Sequence, residues 1–332
     1  MNNFYSVAIV GIAFLACAGA RAQDTVTNSY LQTNLVSDIA GKAPNTDAHL
    51  ANPWGLSRTA SSYWWAADEG TGVSTLYDGS GNVQTLVVTV PSASGTGKGT
   101  PTGTVAVGSA FVFVTLDGTI SEWTSGAKAV IKVNNSSKGA AYTGCTLASD
   151  GGASTIYVAN AAGGVEAYAA TTFKPVALMP GAFVDPNVPA GYAPYGIQSA
   201  GGKIWVTFSA APGAGNGYVD GFDATGKLLL SLVHGTYMNQ PWGIALAPAG
   251  FGEFSKMLLV GNLGSGEIGA FNPTTGKFEG LLKNAAGKAI VNSGLWAIYF
   301  GGGGLSGPTT TLYFTAGIDN QMKGLFGTIT AN

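Results

Sequence analysis

The stretch at 239–278, NQPWGIALAPAGFGEFSKMLLVGNLGSGEIGAFNPTTGKF, is one unit of a pattern that recurs five more times along the chain. That recurrence constrains the fold more than any other feature. The unit opens with a turn ending in Trp242 and Gly243 and runs into a short apolar strand. A second apolar strand follows over 257–261, then a Gly-rich turn, an alternating strand over 267–271 and a turn closed by Gly276. An antiparallel sheet of this size cannot bury both faces alone, so copies must pack face to face.

The openings align at Gly55, Gly103, Gly144, Gly196, Gly243 and Ala297, with spacings of 48, 41, 52, 47 and 54 residues. Repeats of such length mark propellers or solenoids. The turns YDGSGN (77–82), FDATGK (222–227) and FNPTTGK (271–277) join alternating runs, which is strong hairpin chemistry. The chain therefore reads as an all-β, six-bladed β-propeller of four-stranded antiparallel blades, starting near residues 54, 102, 143, 195, 242 and 295. The third blade is read with strands at 143–148, 155–159, 165–168 and 175–179. The last repeat is one strand short, and the alternating segment 30–38 (YLQTNLVSD) has no hairpin partner. Each deficit supplies the other: the early segment completes blade six as its outermost strand and closes the ring, leaving only short, protected edges.

Charged residues are 10% of the chain and glycines number 51, which suits short buried strands joined by tight turns. Net charge is −2 and the arginines are Arg21 and Arg58, so there is no cationic footprint for nucleic acid or an anionic membrane. Residues 7–20 are almost continuously apolar but too few to span a bilayer, which needs roughly 20. With the small-residue pattern Ala20-Arg21-Ala22 they read as a signal peptide over 1–22, although its opening lacks Lys and Arg. The expected product is a secreted or periplasmic propeller over 23–332, a monomer. A lipoprotein signal ending at Cys17 competes with this reading. Cleavage at Ala22 leaves Cys145 as the one mature cysteine, which excludes an internal disulfide and suits a small core filler.

A glycine entering each innermost strand has a physical reason, since backbones approach closely around a propeller axis. Trp54, Tyr195, Trp242 and Trp296 immediately precede this position. They serve blade-to-blade packing or ligand stacking, and the sequence leaves both open. Trp64, Trp65, Trp123 and Trp205 fall within strands and read as core.

In blade pattern the chain resembles the NHL-type six-bladed propellers. More specifically it resembles a family of uncharacterised secreted bacterial proteins, some with a PEP-CTERM sorting tail. The matching text is NLVSD (34–38), NPWGL (52–56), PWGIALAPAGFG (241–252), LLVGN (258–262), GLW (294–296), LYFTAG (312–317) and GLFG (324–327). Lys323 stands where that family usually has a histidine, and the sequence up to Asn332 carries no sorting-tail motif. The resemblance implies a fold and no activity.

The turn after each second strand and the link between blades emerge on one face of a propeller. The residues just after the second strands, Asp68, Asp117, Asn160, Ser209, Asn262 and Gly317, are expected around the channel mouth there. Asp68, Asp117, Asn160 and Asn262 are oxygen donors of the kind a hard divalent ion such as Ca2+ accepts. In residue type this resembles the metal ring of gluconolactonase-like propellers, where an ion polarises a lactone carbonyl. The same residues also cap turns. His49 and His234 both lie in links, and virginiamycin lyase-like propellers use histidine with a metal, so that chemistry stays open. Neither HExxH nor GxSxG occurs, and the GxGxxG at Gly264, Gly266 and Gly269 leads into a strand, not a phosphate-binding helix. Asn134 and Asn135 each begin an N-x-S sequon.

Two functions remain. The first is a binding or scaffold module for a small molecule, glycan or protein, using the loop-rich face with Trp54, Asp68, Asn160, Tyr195, Trp242, Asn262 and Trp296. The second is a lactonase- or lyase-like enzyme holding an ion through Asp68, Asp117, Asn160 and Asn262. Loops carried by a rigid scaffold, and the scarcity of catalytic residue types, favour the first.

Overall fold

Six antiparallel sheets follow one another around a ring, in the order the repeats demand. The computed structural model describes residues 1, 27–149 and 151–332; the signal segment read over 1–22, and with it Cys17, falls outside the described residues apart from Met1. The innermost strands are Pro53–Ser57, Pro101–Val107, Tyr142–Ala148, Ala193–Ala200, Pro241–Leu246 and Leu295–Phe300. Each lies against the next, and the last returns to the first. Among the described residues no helix is long and apolar enough to cross a membrane.

Second strands are buried along their whole length in Trp64–Asp68, Leu258–Asn262 and Leu312–Ala316, because each blade is pressed between two others and both faces are covered. That is why they read as continuous apolar runs rather than alternating ones. The outermost strand Val130–Asn134, with one face in solvent, alternates. The core sits in the seams between blades. At the seam of blades one and two, Trp65 stacks on Phe111 with centroids 4.1 Å apart. At the seam of blades six and one, Trp64 meets Tyr313 at 4.9 Å and Tyr77 meets Phe326 at 5.2 Å.

The ring closes as the sequence requires. Tyr30–Ser37 pairs antiparallel with Leu325–Ala331, from Tyr30 opposite Ala331 to Ser37 opposite Leu325, with a bulge between Asn34 and Val36. Tyr30 and Val36 are buried, each worth about 1.5–3 kcal/mol on transfer from water. The Tyr30 hydroxyl donates to the Phe251 carbonyl at 3.1 Å and accepts from the Phe254 amide at 3.0 Å, which ties the closing strand to blade five as well. Asn45–Thr46 adds a short parallel pairing to the same edge.

Turn chemistry follows the sequence too. Asp78 Oδ1 accepts the amides of Ser80 and Asn82, Asp223 Oδ1 those of Thr225 and Lys227, and Asn272 Oδ1 those of Thr274 and Thr275. Blade three departs in detail. Beyond Gly164–Ala169 its outer position, expected as a strand over 175–179, is held by a bridge between Tyr168 and Pro175 and two bonds, from the Val176 amide to the Ala167 carbonyl at 2.8 Å and from the Ala169 amide to the Lys174 carbonyl at 2.9 Å. Pro175 stands at the non-hydrogen-bonded position between these two bonds, and no ladder forms over 177–179.

Candidate functional site

Around the axis the glycines stand where backbone meets backbone. A Cβ on Gly196 would lie 2.1 Å from the Trp242 carbonyl oxygen, and one on Gly243 would lie 2.4 Å from that of Trp296. At this level the channel narrows to a cavity of about 20 Å³, room for a single water.

On the side of the links, aromatic rings occupy the axis. Trp54 and Trp296 stack with centroids 3.6 Å apart, Trp242 stands edge-on to both at 6.3 and 5.7 Å, and Tyr195, from the opposite side of the ring, lies 6.1 and 5.9 Å from the same two. The Trp242 indole donates across the ring to the Thr143 carbonyl at 3.0 Å, and Trp296 donates to Asn52 Oδ1 at 2.9 Å. Trp54 Nε1 is buried without a partner. These four residues thus touch one another across the hole, and burial pushes the Tyr195 hydroxyl far above its usual range.

The oxygen donors at the ends of the second strands lie on this face, since Asp68, Asn160 and Asn262 pair directly with Pro53, Tyr142 and Pro241, where the links enter. Each works within its own blade. Asn160 Oδ1 accepts the amides of Ala141 and Ala162, both at 3.0 Å, and Asn262 Oδ1 accepts that of Asn239 at 2.9 Å. Asp117 Oδ2 accepts the Ala93 amide at 2.6 Å, and Asp68 Oδ2 accepts the Thr75 hydroxyl at 2.8 Å. The remaining carboxylate oxygens, Asp68 Oδ1 and Asp117 Oδ1, are buried and unpartnered. Burial above all, with the charge of Asp47 adding, drives the Asp68 carboxyl well up toward its neutral form. Among the described residues no group of three or more His, Cys, Asp or Glu side chains is placed to hold a metal, and of these four side chains only the Asp68 and Asp117 Oδ1 atoms are free, so they do not form a ready-made site for such an ion. The histidines are held apart: His49 Nδ1 sits 3.1 Å from Asp47 Oδ1, and His234 stacks on Tyr218 with Nε2 2.7 Å from the Gly215 carbonyl.

Three polar groupings escaped the sequence reading. Asp47 accepts the Tyr77 hydroxyl at 2.9 Å in the seam of blades six and one. Glu166 gathers Tyr142, Tyr168 and the Asn160 amide at 2.8, 2.5 and 2.7 Å. Burial, then the bond to Glu166, pushes Tyr168 far up. Asp185 fastens the long link before blade four by accepting the Ser231 hydroxyl at 2.8 Å. Only Asp185, two residues beyond Phe183 in a link rich in Pro, carried a sequence signal, as a turn former.

Three cavities matter. One of about 400 Å³ lies on the link face between the 161–164 turn and the 183–194 link, walled by Phe183, Val188, Tyr192 and Phe208, and flanked in sequence by Asn160 and Tyr195. Phe183, buried against Tyr157 and Phe222, pins that link down. A groove of about 530 Å³ runs beside the shortened edge of blade three, with Lys132, Glu166 and Phe173 on its walls. At the end of the axis away from the links, a funnel of about 230 Å³ opens among the far ends of the inner strands, lined by Arg58, Thr146, Gln198 and Tyr299.

No family model matches the chain. It is 27% identical over 325 residues to an uncharacterised protein of Acanthamoeba polyphaga mimivirus, covering 89% of this chain and 78% of that one. Among solved structures it is similar to a streptogramin B lyase, at 14% identity and a TM-score of 0.57 over 92% of this chain and 98% of that one. It is also similar to a glucose dehydrogenase, at 12% identity and a TM-score of 0.61 over 91% and 100%. At such identities the likeness is one of fold, the six-bladed β-propeller.

Proposed function

We propose that the protein is a secreted or periplasmic binding module of the NHL-like kind, whose loop-rich link face takes an apolar or amphipathic group of a small molecule, glycan or protein. The observation that carries this reading is the pocket of about 400 Å³ beside blades three and four, within the size range of small-ligand sites. Its aromatic wall is held by a link whose anchors, Phe183 and Asp185, are themselves buried, so a ligand meets a preformed surface and little ordering cost. Asn160 and Tyr195 adjoin its lining residues Ala161 and Pro194 in sequence, and the ring cluster of Trp54, Tyr195, Trp242 and Trp296 packs on the same face.

The enzymatic reading rests on the open carboxylate oxygens of Asp68 and Asp117. One set of measurements separates the two. Apolar fragments are titrated into the ¹⁵N-labelled protein and read on the amides of Gly163, Gly164, Tyr192 and Phe208. Metal content and lactone hydrolysis are measured on the wild type, Asp68→Ala and Asn262→Ala. Fragment shifts confined to the pocket, with a metal-free and inert wild type, support binding. An ion or a hydrolytic activity lost with those substitutions overturns it.

A further inference from the structure

The funnel at the far end of the axis contains Arg58, the sole arginine among the described residues. None of the ion pairs among the described residues includes it. Its Nε and Nη2 both donate to the Phe300 carbonyl, at 3.1 and 2.9 Å, and Nη1 makes one long contact of 3.5 Å to the Thr59 carbonyl. A guanidinium has five N–H donors, so two are left over. The group lies over the rings of Trp64 and Tyr299, 5.5 and 5.6 Å from their centroids, which fix its plane. It is half-buried, and burial pulls its pKa down without bringing it near neutrality.

A clasp between blades one and six explains the bonds to Phe300. The faces of Trp64 and Tyr299 offset part of the charge, but no anionic side chain pairs with it, and a partly desolvated cation without a counter-ion is costly. The walls indicate what would compensate it. Thr146, Gln198 and Ser199 offer hydroxyl and amide groups, and the adjoining space of about 160 Å³ is bounded by Ile244, Leu246 and Phe300. One fixed planar cation beside an apolar wall suits one planar anion carrying an apolar body, whereas a polyanion would leave further charge unmatched.

We propose that this funnel is a second binding site, for a small monocarboxylate with an aromatic or aliphatic body, in which Arg58 pairs with the carboxylate and Gln198 and Tyr299 line its approach. The probe is benzoate, with benzamide as its neutral counterpart of similar shape, each titrated into the ¹⁵N-labelled protein and followed on the Arg58 Nε–H and the Gln198 side-chain amide. Benzoate is expected to shift both signals saturably and to bind about tenfold or more tightly than benzamide, the ratio that one charge-assisted contact supplies. Arg58→Lys should keep part of that preference and Arg58→Met should abolish it. Equal responses to the two probes, benzoate shifts located elsewhere, or undiminished benzoate binding to a folded Arg58→Met each overturn the proposal. Should Arg58→Met fail to fold, the comparison on the wild type decides alone.

Discussion

Asp220 offers a prediction whose size follows from its surroundings. It lies in Tyr218–Phe222, the third strand of blade four, buried and opposite Ser231 in the ladder, with Oδ2 unpartnered. Burial is the main cause, and the charge of Asp185 adds to it; the Ser231 hydroxyl pulls the other way, and the carboxyl ends at about 7 against an ordinary 3.8. In the unfolded chain the group loses its proton near pH ~3.9. Between that value and about 7 the folded protein therefore holds a proton the unfolded chain has released. The stability this group contributes is full below the unfolded pKa, declines as pH rises toward 7 and is level above it. A displacement of this size corresponds to ~4 kcal/mol. Asp220→Asn keeps the shape, removes the titration and presents an amide toward Asp185. Urea unfolding followed by tryptophan fluorescence across pH 4–8 should find the variant more stable at pH 8 by up to ~4 kcal/mol, with the gap closing toward pH ~4. Parallel stability curves, or a variant weaker than the wild type at pH 8, would refute the argument.

Two further expectations come from the ring itself. Gly196→Ala sets a methyl 2.1 Å from a backbone oxygen of the next blade, whereas Gly144→Ala meets its nearest atom at 3.3 Å, so the first should cost about 3 kcal/mol or more and the second less than about 1, read as urea midpoints. Tyr30→Phe strands the Phe251 carbonyl and the Phe254 amide, both buried, and should lower stability by ~2 kcal/mol; an unchanged midpoint would mean the closing strand is not held there.

Much of this protein was legible before its structure, for local reasons. Strand period, the Asp-Gly, Asp-x-x-Gly and Asn-x-x-x-Gly turns and the count of openings are properties of neighbours in sequence, and they sufficed for six blades and for the pairing of residues 30–38 with the last sheet. Blade three shows where that legibility ends: an apolar run over 175–179 reads as a strand, but tertiary pairing gives it only a bridge at Pro175.

The glycine openings also announced close backbone approach, and the contacts at Gly196 and Gly243 have that cause. Which groups meet across the ring was decided by the tertiary structure alone. Trp54 and Tyr195 come from opposite sides of the axis, and Arg58 reaches Phe300 across the closing seam, 242 positions away. No local pattern encodes such distances. They follow from how far each inner strand tilts and which rotamer each ring takes once six sheets share one hole, and that geometry, rather than residue type, leaves one end of the axis filled with indoles and the other open around a lone cation.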